Sequence, residues 1–148
     1  MTALPGAVLF CCDHNAVRSP MAEGLMKRLH GHDVYVQSAG VESDLEIDGF
    51  AITVCAETGV ELSRHRSRSF EEMGRLGDDL EQFDLIVALS PASHAQAMAL
   101  ARHAHVALEF WPVADPTAQG RNRAEKLDAY RAVRDEIERR LNERFPRG

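Results

Sequence analysis

The sequence predicts an α/β protein: one domain built on a parallel β-sheet, with helices on both of its faces. Three observations point there. Short continuous apolar runs alternate along the chain with segments whose apolar residues recur at helical spacing, the order expected of parallel strand–helix units. The first of these runs has no polar residue, the pattern of a strand buried on both sides. Finally, 148 residues at 45% hydrophobic and 27% charged suit one domain over residues 1–148 that can bury a core without disulfide staples. No repeat, low-complexity segment or linker divides it.

The elements follow in order. Ala7-Val8-Leu9-Phe10-Cys11 is the first buried strand. Ser19 to His30 is a helix, with Met21, Leu25, Met26 and Leu29 at helical spacing and Pro20 where a first turn tolerates it. Asp33 to Ser38, through Val34, Tyr35 and Val36, is a second strand. Phe50 to Thr58 is a helix that Gly59 closes at its C′ position. Ser69 and Glu72 form a capping-box pattern that starts a short helix. Phe83 to Leu89 is a third buried strand, Pro91 to His103 an Ala-rich helix, and Val106 to Trp111 a fourth strand. Asn122 with Glu125 caps a last helix, whose Leu127, Tyr130, Val133, Ile137 and Leu141 form one apolar stripe.

Composition removes several function classes. A net charge of −6 is not that of a nucleic-acid binder with a basic face. No apolar run reaches the ~20 residues a membrane span needs. Met1 to Gly6 has neither a basic start nor a long apolar stretch, so no signal peptide is expected. Three Cys, two of them adjacent, make no disulfide framework and suit a reducing, cytoplasmic setting. No His-x3-His or Cys-x2-Cys spacing supports a metal site. Nothing in the sequence demands an oligomer, so a monomer is compatible with it.

The chemistry concentrates in one stretch, Val8 to Glu23. It runs from buried strand through polar turn to helix. Such a turn aims backbone N–H groups and a helix N-terminus at one spot, a ready anion site. Cys12 lies at the strand end and Arg18 at the helix start, in the spacing Cys-x5-Arg. A thiol placed there beside a guanidinium is expected to ionise readily and to act as a nucleophile. Arg18 brings planar, bidentate hydrogen bonding suited to a tetrahedral oxyanion. Ser19 can donate its hydroxyl to the sulfur. The residues between them, Asp13, His14, Asn15, Ala16 and Val17, would form the binding loop.

With its strand before and Arg-Ser-Pro-Met-Ala-Glu after it, this stretch resembles the low-molecular-weight protein tyrosine phosphatase family, whose fold is shared with a branch of arsenate reductases. The resemblance extends over nearly the whole chain. Ser38-Ala39-Gly40 resembles the family's second strand end. Gly59 to Arg68 resembles its Gly-x-x-x-Ser-x-His-x-x-Arg segment, Phe83-Asp84-Leu85-Ile86-Val87 its third strand, and Asp115-Pro116 the loop of the general acid. The resemblance implies strand order 2-1-3-4 and a two-step hydrolysis of phosphomonoesters, protein phosphotyrosine among them. Cys12 would attack phosphorus, Arg18 and the loop amides would hold the oxygens, and Asp115 would protonate the leaving group. Asn15 would shape the loop with support from Ser38 and His65. No metal or organic cofactor is implied. The partner would be a phosphorylated protein or a small phosphomonoester.

Several positions depart from the family pattern. His14 stands where the phosphatase loop has Gly, at a backbone position expected to be unusual and tolerable for His. Asp13 adds a negative charge of undetermined direction. Val17 replaces the family's second, protective Cys, and neighbouring side chains on a strand point apart, so Cys11 would not substitute. Cys11 and Cys55 read as buried fillers. The aromatic residues that would sandwich a phosphotyrosine ring, worth about 0.5–1.5 kcal/mol per pair, are missing from Val41 to Asp48 and after Pro116. Phe50 and Trp111 are the rings that could stand in for them.

Two rival functions follow. The loop His14-Asn15-Ala16 resembles that of some arsenate reductases, and arsenate mimics phosphate. Residues 80 to 105 hold no Cys, so reduction would use Cys12 with an external thiol or redoxin. The other rival is a phosphate-sensing module with little turnover.

Overall fold

The computed structural model of the protein describes residues 4–147. Met1 to Ala3, within the stretch read above as lacking a signal peptide, lie outside them. β1 (Ala7–Cys12) is buried along its whole length, and its alternating side chains supply two cores. Val8, Phe10 and Cys12 join one cluster and Ala7, Leu9 and Cys11 the other, as the two-residue period of a strand requires. β1 pairs in parallel with β2 (Tyr35–Gly40) on one side and β3 (Leu85–Ala88) on the other, and β3 pairs with β4 (Ala107–Phe110). The order β2-β1-β3-β4 is the one the resemblance implied.

Helices cover both faces. Met21, Leu25 and Met26 of α1 (Arg18–His30), Val54 and Cys55 of α2 (Gly49–Ala56), and Tyr130, Val133, Ile137 and Leu141 of α5 (Arg123–Arg144) fill the first core. Phe70 and Met73 of α3 (Phe70–Arg75) and Ala97 of α4 (Pro91–Leu100) fill the second. The predicted stripe on the last helix is therefore its buried face, with Leu127 half-buried at its start. Among the described residues, no helix is long and apolar enough to cross a membrane.

Local chemistry sets the helix ends. Asp48, Ser69, Ser90 and Asn122 each accept backbone N–H groups at the starts of α2, α3, α4 and α5. After α2 the chain turns at Gly59 (φ 81°). There the Val60 N–H donates to the Cys55 carbonyl and the Gly59 N–H to that of Ala56, the Schellman arrangement expected of a C′ glycine.

The second strand shifts at both ends, expected at Asp33 to Ser38 and found at Tyr35–Gly40. Pairing with β1 decides it, because β1 runs on to Cys12 and Cys12 lies opposite Gly40. A Cβ on Gly40 would come within 2.7 Å of the Asn15 nitrogen. The glycine lets the second strand end against the loop after β1.

Candidate active site

The site forms where the chain leaves β1 at the carboxyl edge of the sheet, between β2 and β3. Such sheets bind ligands at this edge, where the strand order reverses. Asp13 to Val17 make the turn, and α1 starts at Arg18. Val17, at the N-cap, has no side-chain hydrogen bond to the helix; the Ser19 N–H in the first turn donates instead to the Cys12 sulfur.

The left-handed backbone lies at Asn15 (φ 54°) rather than at His14, which corrects the sequence reading. Asn is among the few non-glycine residues that adopt this conformation readily. Side-chain bonds hold it there. The Asn15 amide nitrogen donates to Ser19 Oγ at 2.8 Å and to Ser38 Oγ at 2.9 Å. Its Oδ1 accepts from the Arg68 N–H at 2.9 Å and faces His65 Nε2 at 3.1 Å. Ser67 Oγ donates to its carbonyl at 2.7 Å. Burial pulls the His65 pKa down, so the ring is neutral near pH 7 and uses Nε2–H as its donor toward Asn15.

This network reaches the sulfur. Cys12 Sγ lies 2.9 Å from Ser19 Oγ and accepts the Ser19 N–H at 3.4 Å. Asn15 already donates into the Ser19 oxygen, so the hydroxyl proton points away from Asn15, and the sulfur is closer to it than the Ala39 carbonyl at 3.5 Å. At the other end, Ser38 Oγ donates to Glu23 Oε1 at 2.5 Å. From the Asn15 amide nitrogen the donor direction thus runs two ways, through Ser38 to Glu23 on α1 and through Ser19 to the Cys12 sulfur. Glu23, Ser67 and Arg68 were not singled out as support from the sequence, although Glu23 and Arg68 sit inside the motifs that matched.

Arg18 is buried. It donates through Nη1 to the Val113 carbonyl at 3.0 Å and through Nη2 to Asp13 Oδ2 at 3.1 Å. Asp115 Oδ2 lies 3.9 Å from the same Nη2. The direction of Asp13, open in the sequence, is toward the guanidinium. Partial burial acts to raise the Asp115 pKa, but hydrogen bonds from the Thr117 N–H and hydroxyl, with Arg18 and His14 nearby, outweigh it and hold the carboxyl below its ordinary range.

Cys12, Arg18 and Asp115 line one cavity of about 270 Å³. His14, Ala16 and Val17 join them from the loop, and Leu45, Glu46, Asp48 and Thr117 form the remaining wall. Asp13, Asn15 and Ser19, expected to touch substrate, do not line it; they act on Arg18 and Cys12 from behind. Phe50 and Trp111 do not line it either. Phe50 packs on Tyr130, and Trp111 lies between Phe10 and Phe145. The half-exposed Leu45 stands where no ring does.

His14 turns toward the rim, with Nδ1 2.6 Å from Asp44 and 3.8 Å from Glu42. Three groups with metal-ligating atoms meet there, but all are solvent-accessible and the short contact is a His–carboxylate hydrogen bond. Cys11 and Cys55 are fully buried. Burial pushes both thiols up, Cys55 to about 12. Cys11 faces the opposite core from Cys12, so neither offers a reactive partner.

Fold and site together define a class: a parallel α/β domain that presents one cysteine and one arginine on the turn between its first strand and first helix. The match is specific. Residues 7–145 fit the family described as low molecular weight phosphotyrosine protein phosphatase, and the chain belongs to that family of enzymes. Its relatives carry different activities. It is 35% identical over 136 residues to arsenate reductase 1 of Staphylococcus haemolyticus, covering 92% of each chain. The structure of an arginine phosphatase from Geobacillus stearothermophilus superposes with a TM-score of 0.76 at 26% identity, over 96% of this chain and 91% of that one. A tyrosine phosphatase of Erwinia amylovora gives the same TM-score at 22% identity, over 96% and 92%, a likeness of fold.

Proposed function

We propose that this protein is a cysteine-dependent phosphatase that hydrolyses phosphomonoesters, phosphotyrosine in proteins among them, through a thiophosphate intermediate. The reading rests chiefly on one observation: Cys12, Arg18 and Asp115 line the same cavity. In the first step the Cys12 sulfur bonds to phosphorus as the bond to the leaving oxygen breaks, and Asp115 gives that oxygen its proton. In the second, Asp115 takes a proton from water, the water oxygen bonds to phosphorus, and the sulfur leaves. The backbone amides of the loop and the Arg18 fork hold the equatorial oxygens, where transition-state charge sits. This chemistry uses groups of the chain alone. Three free thiols fit a reducing compartment, so a cytoplasmic location belongs to the same reading.

Asp115 is ionised in the unliganded site, yet it must carry a proton as the acid. An anionic substrate held beside it raises its pKa. Turnover is therefore expected to be fastest at mildly acidic pH and to fall as pH rises through the Asp115 pKa of the complex. An aryl phosphate assay tests this. Cys12→Ser should abolish hydrolysis. Asp115→Asn should slow it by about 10²–10³-fold, most for poor leaving groups. Unchanged rates in both variants would sink the mechanism.

Arsenate reduction is the second reading, favoured by curated relatives above 30% identity named arsenate reductases. Cys12 would bond to arsenic, and an external thiol or redoxin would supply the reducing electrons, since Cys11 and Cys55 are buried. Arsenite release in the presence of such a thiol, without aryl phosphate hydrolysis, would select it. Tight phosphate binding with neither activity would select a sensor.

A further inference from the structure

The anion-binding arginine is already paired with an anion of its own chain. Asp13 Oδ2 takes the Arg18 Nη2 donor at 3.1 Å. The other oxygen, Oδ1, is buried and has no hydrogen-bond partner. The Asp13 side chain is 36% exposed, but its inner oxygen has only the nearby guanidinium to offset its charge. The guanidinium therefore meets a ligand with part of its charge already offset by a fixed carboxylate. The rest of the cavity adds little positive charge. Asp115 lies 3.9 Å from the same Nη2, and Glu46 and Asp48 are in the wall. The one His there, His14, is hydrogen-bonded to Asp44.

We propose that Asp13 is a specificity-determining residue that tunes this cavity for singly charged tetrahedral oxyanions, such as dihydrogen phosphate, dihydrogen arsenate or a phosphomonoester monoanion, against dianions. The inference rests on the reading of the cavity as an oxyanion site and is independent of which reaction follows. The physical reason is Coulombic. A fixed carboxylate repels a dianion twice as strongly as a monoanion at the same place, whereas the amides and the Arg18 fork offer both the same hydrogen bonds.

Phosphate and sulfate separate charge from shape at one pH. At about pH 5.5 phosphate is chiefly a monoanion and sulfate is a dianion. Titration calorimetry at low ionic strength should give the dissociation constants of both for the wild type, Asp13→Asn and Asp13→Ala. Asp13→Asn keeps an oxygen for Arg18 and removes the charge. It should tighten sulfate by about tenfold and phosphate by about threefold, so the preference for phosphate falls by about threefold. Asp13→Ala should shift the preference the same way. An unchanged phosphate-to-sulfate ratio in both variants would overturn the proposal. So would equal weakening of both anions, which would leave Asp13 only orienting Arg18. If the wild type binds neither anion, the oxyanion-site reading fails and takes this inference with it.

Discussion

Two neighbouring strand–helix units of this molecule use the same parts to opposite ends. β1 leads into α1 and β3 into α4, with the two strands side by side in the sheet, and each helix start carries a Ser-Pro pair, Ser19-Pro20 and Ser90-Pro91. At α4 the link is two residues, Leu89 and Ser90. Ser90 Oγ accepts the Ser93 N–H, and Ser93 Oγ reaches back to the Ser90 N–H, so the helix end satisfies itself. At α1 the link is five residues, Asp13 to Val17, and the N-cap is Val17, whose side chain caps nothing. There the serine, Ser19, lies one position inside the helix and points at Cys12. A helix start capped by its own side chain is a structural joint. The same start, with an N-cap side chain that caps nothing and a thiol and a guanidinium beside it, is what the proposed anion site is built on.

Substitutions can break or sharpen this contrast. The largest effect is expected at Asn15, which holds the open turn together. Asn15→Ala loses both side-chain donors and leaves Ala at positive φ, so it should destabilise the fold by about 3 kcal/mol in denaturant unfolding. It should also depress oxyanion binding and turnover. Stability within about 0.5 kcal/mol of wild type would mean that the turn holds its shape without the network. Ser90→Ala, in the capped unit, should lower stability by about 1 kcal/mol and leave anion affinity unaltered. A change in affinity would show that the two units are coupled.

The smallest effect is at His65. Its folded pKa lies below the usual His value, so folding favours the neutral ring. The stability this contributes is fully present above about pH 6.5 and is lost as pH falls below that value. His65→Gln keeps a donor for Asn15 without a titrating ring. Its melting temperature should therefore fall less than that of the wild type between pH 7.5 and about pH 5.5. Parallel losses would remove His65 as the group responsible.

Much of this was legible in the residues. Unbroken apolar runs marked β1 and β3, and Ser69, Asn122 and Gly59 marked helix ends, because caps and C′ glycines act within three or four residues. The spacing of Cys12, Arg18 and Ser19 was legible for the same reason. Two expectations went wrong or stayed open where the answer lay far along the chain. The positive φ sits at Asn15 because Ser38, His65 and Arg68 reach it from β2 and the segment before α3. The cavity wall carries Leu45 and Glu46 rather than Phe50 or Trp111 because α2 and β4 turn those rings toward the core. No periodicity encodes such meetings.

The sequence by itself determined the alternation of strands and helices, the polar turn between the first strand and helix, and the presence of a single Cys beside an Arg. Local sterics and hydrogen bonds set these, and they are written in neighbouring residues. Tertiary structure decided what the turn became. Pairing of Cys12 with Gly40 brought the second strand end against Asn15, and the return of the chain after β4 set Asp115 near Arg18. It also aimed Asp13 at the guanidinium. Charges act through space, so an acidic residue five positions before the arginine or about a hundred after it can face the same guanidinium, and only the fold says which does.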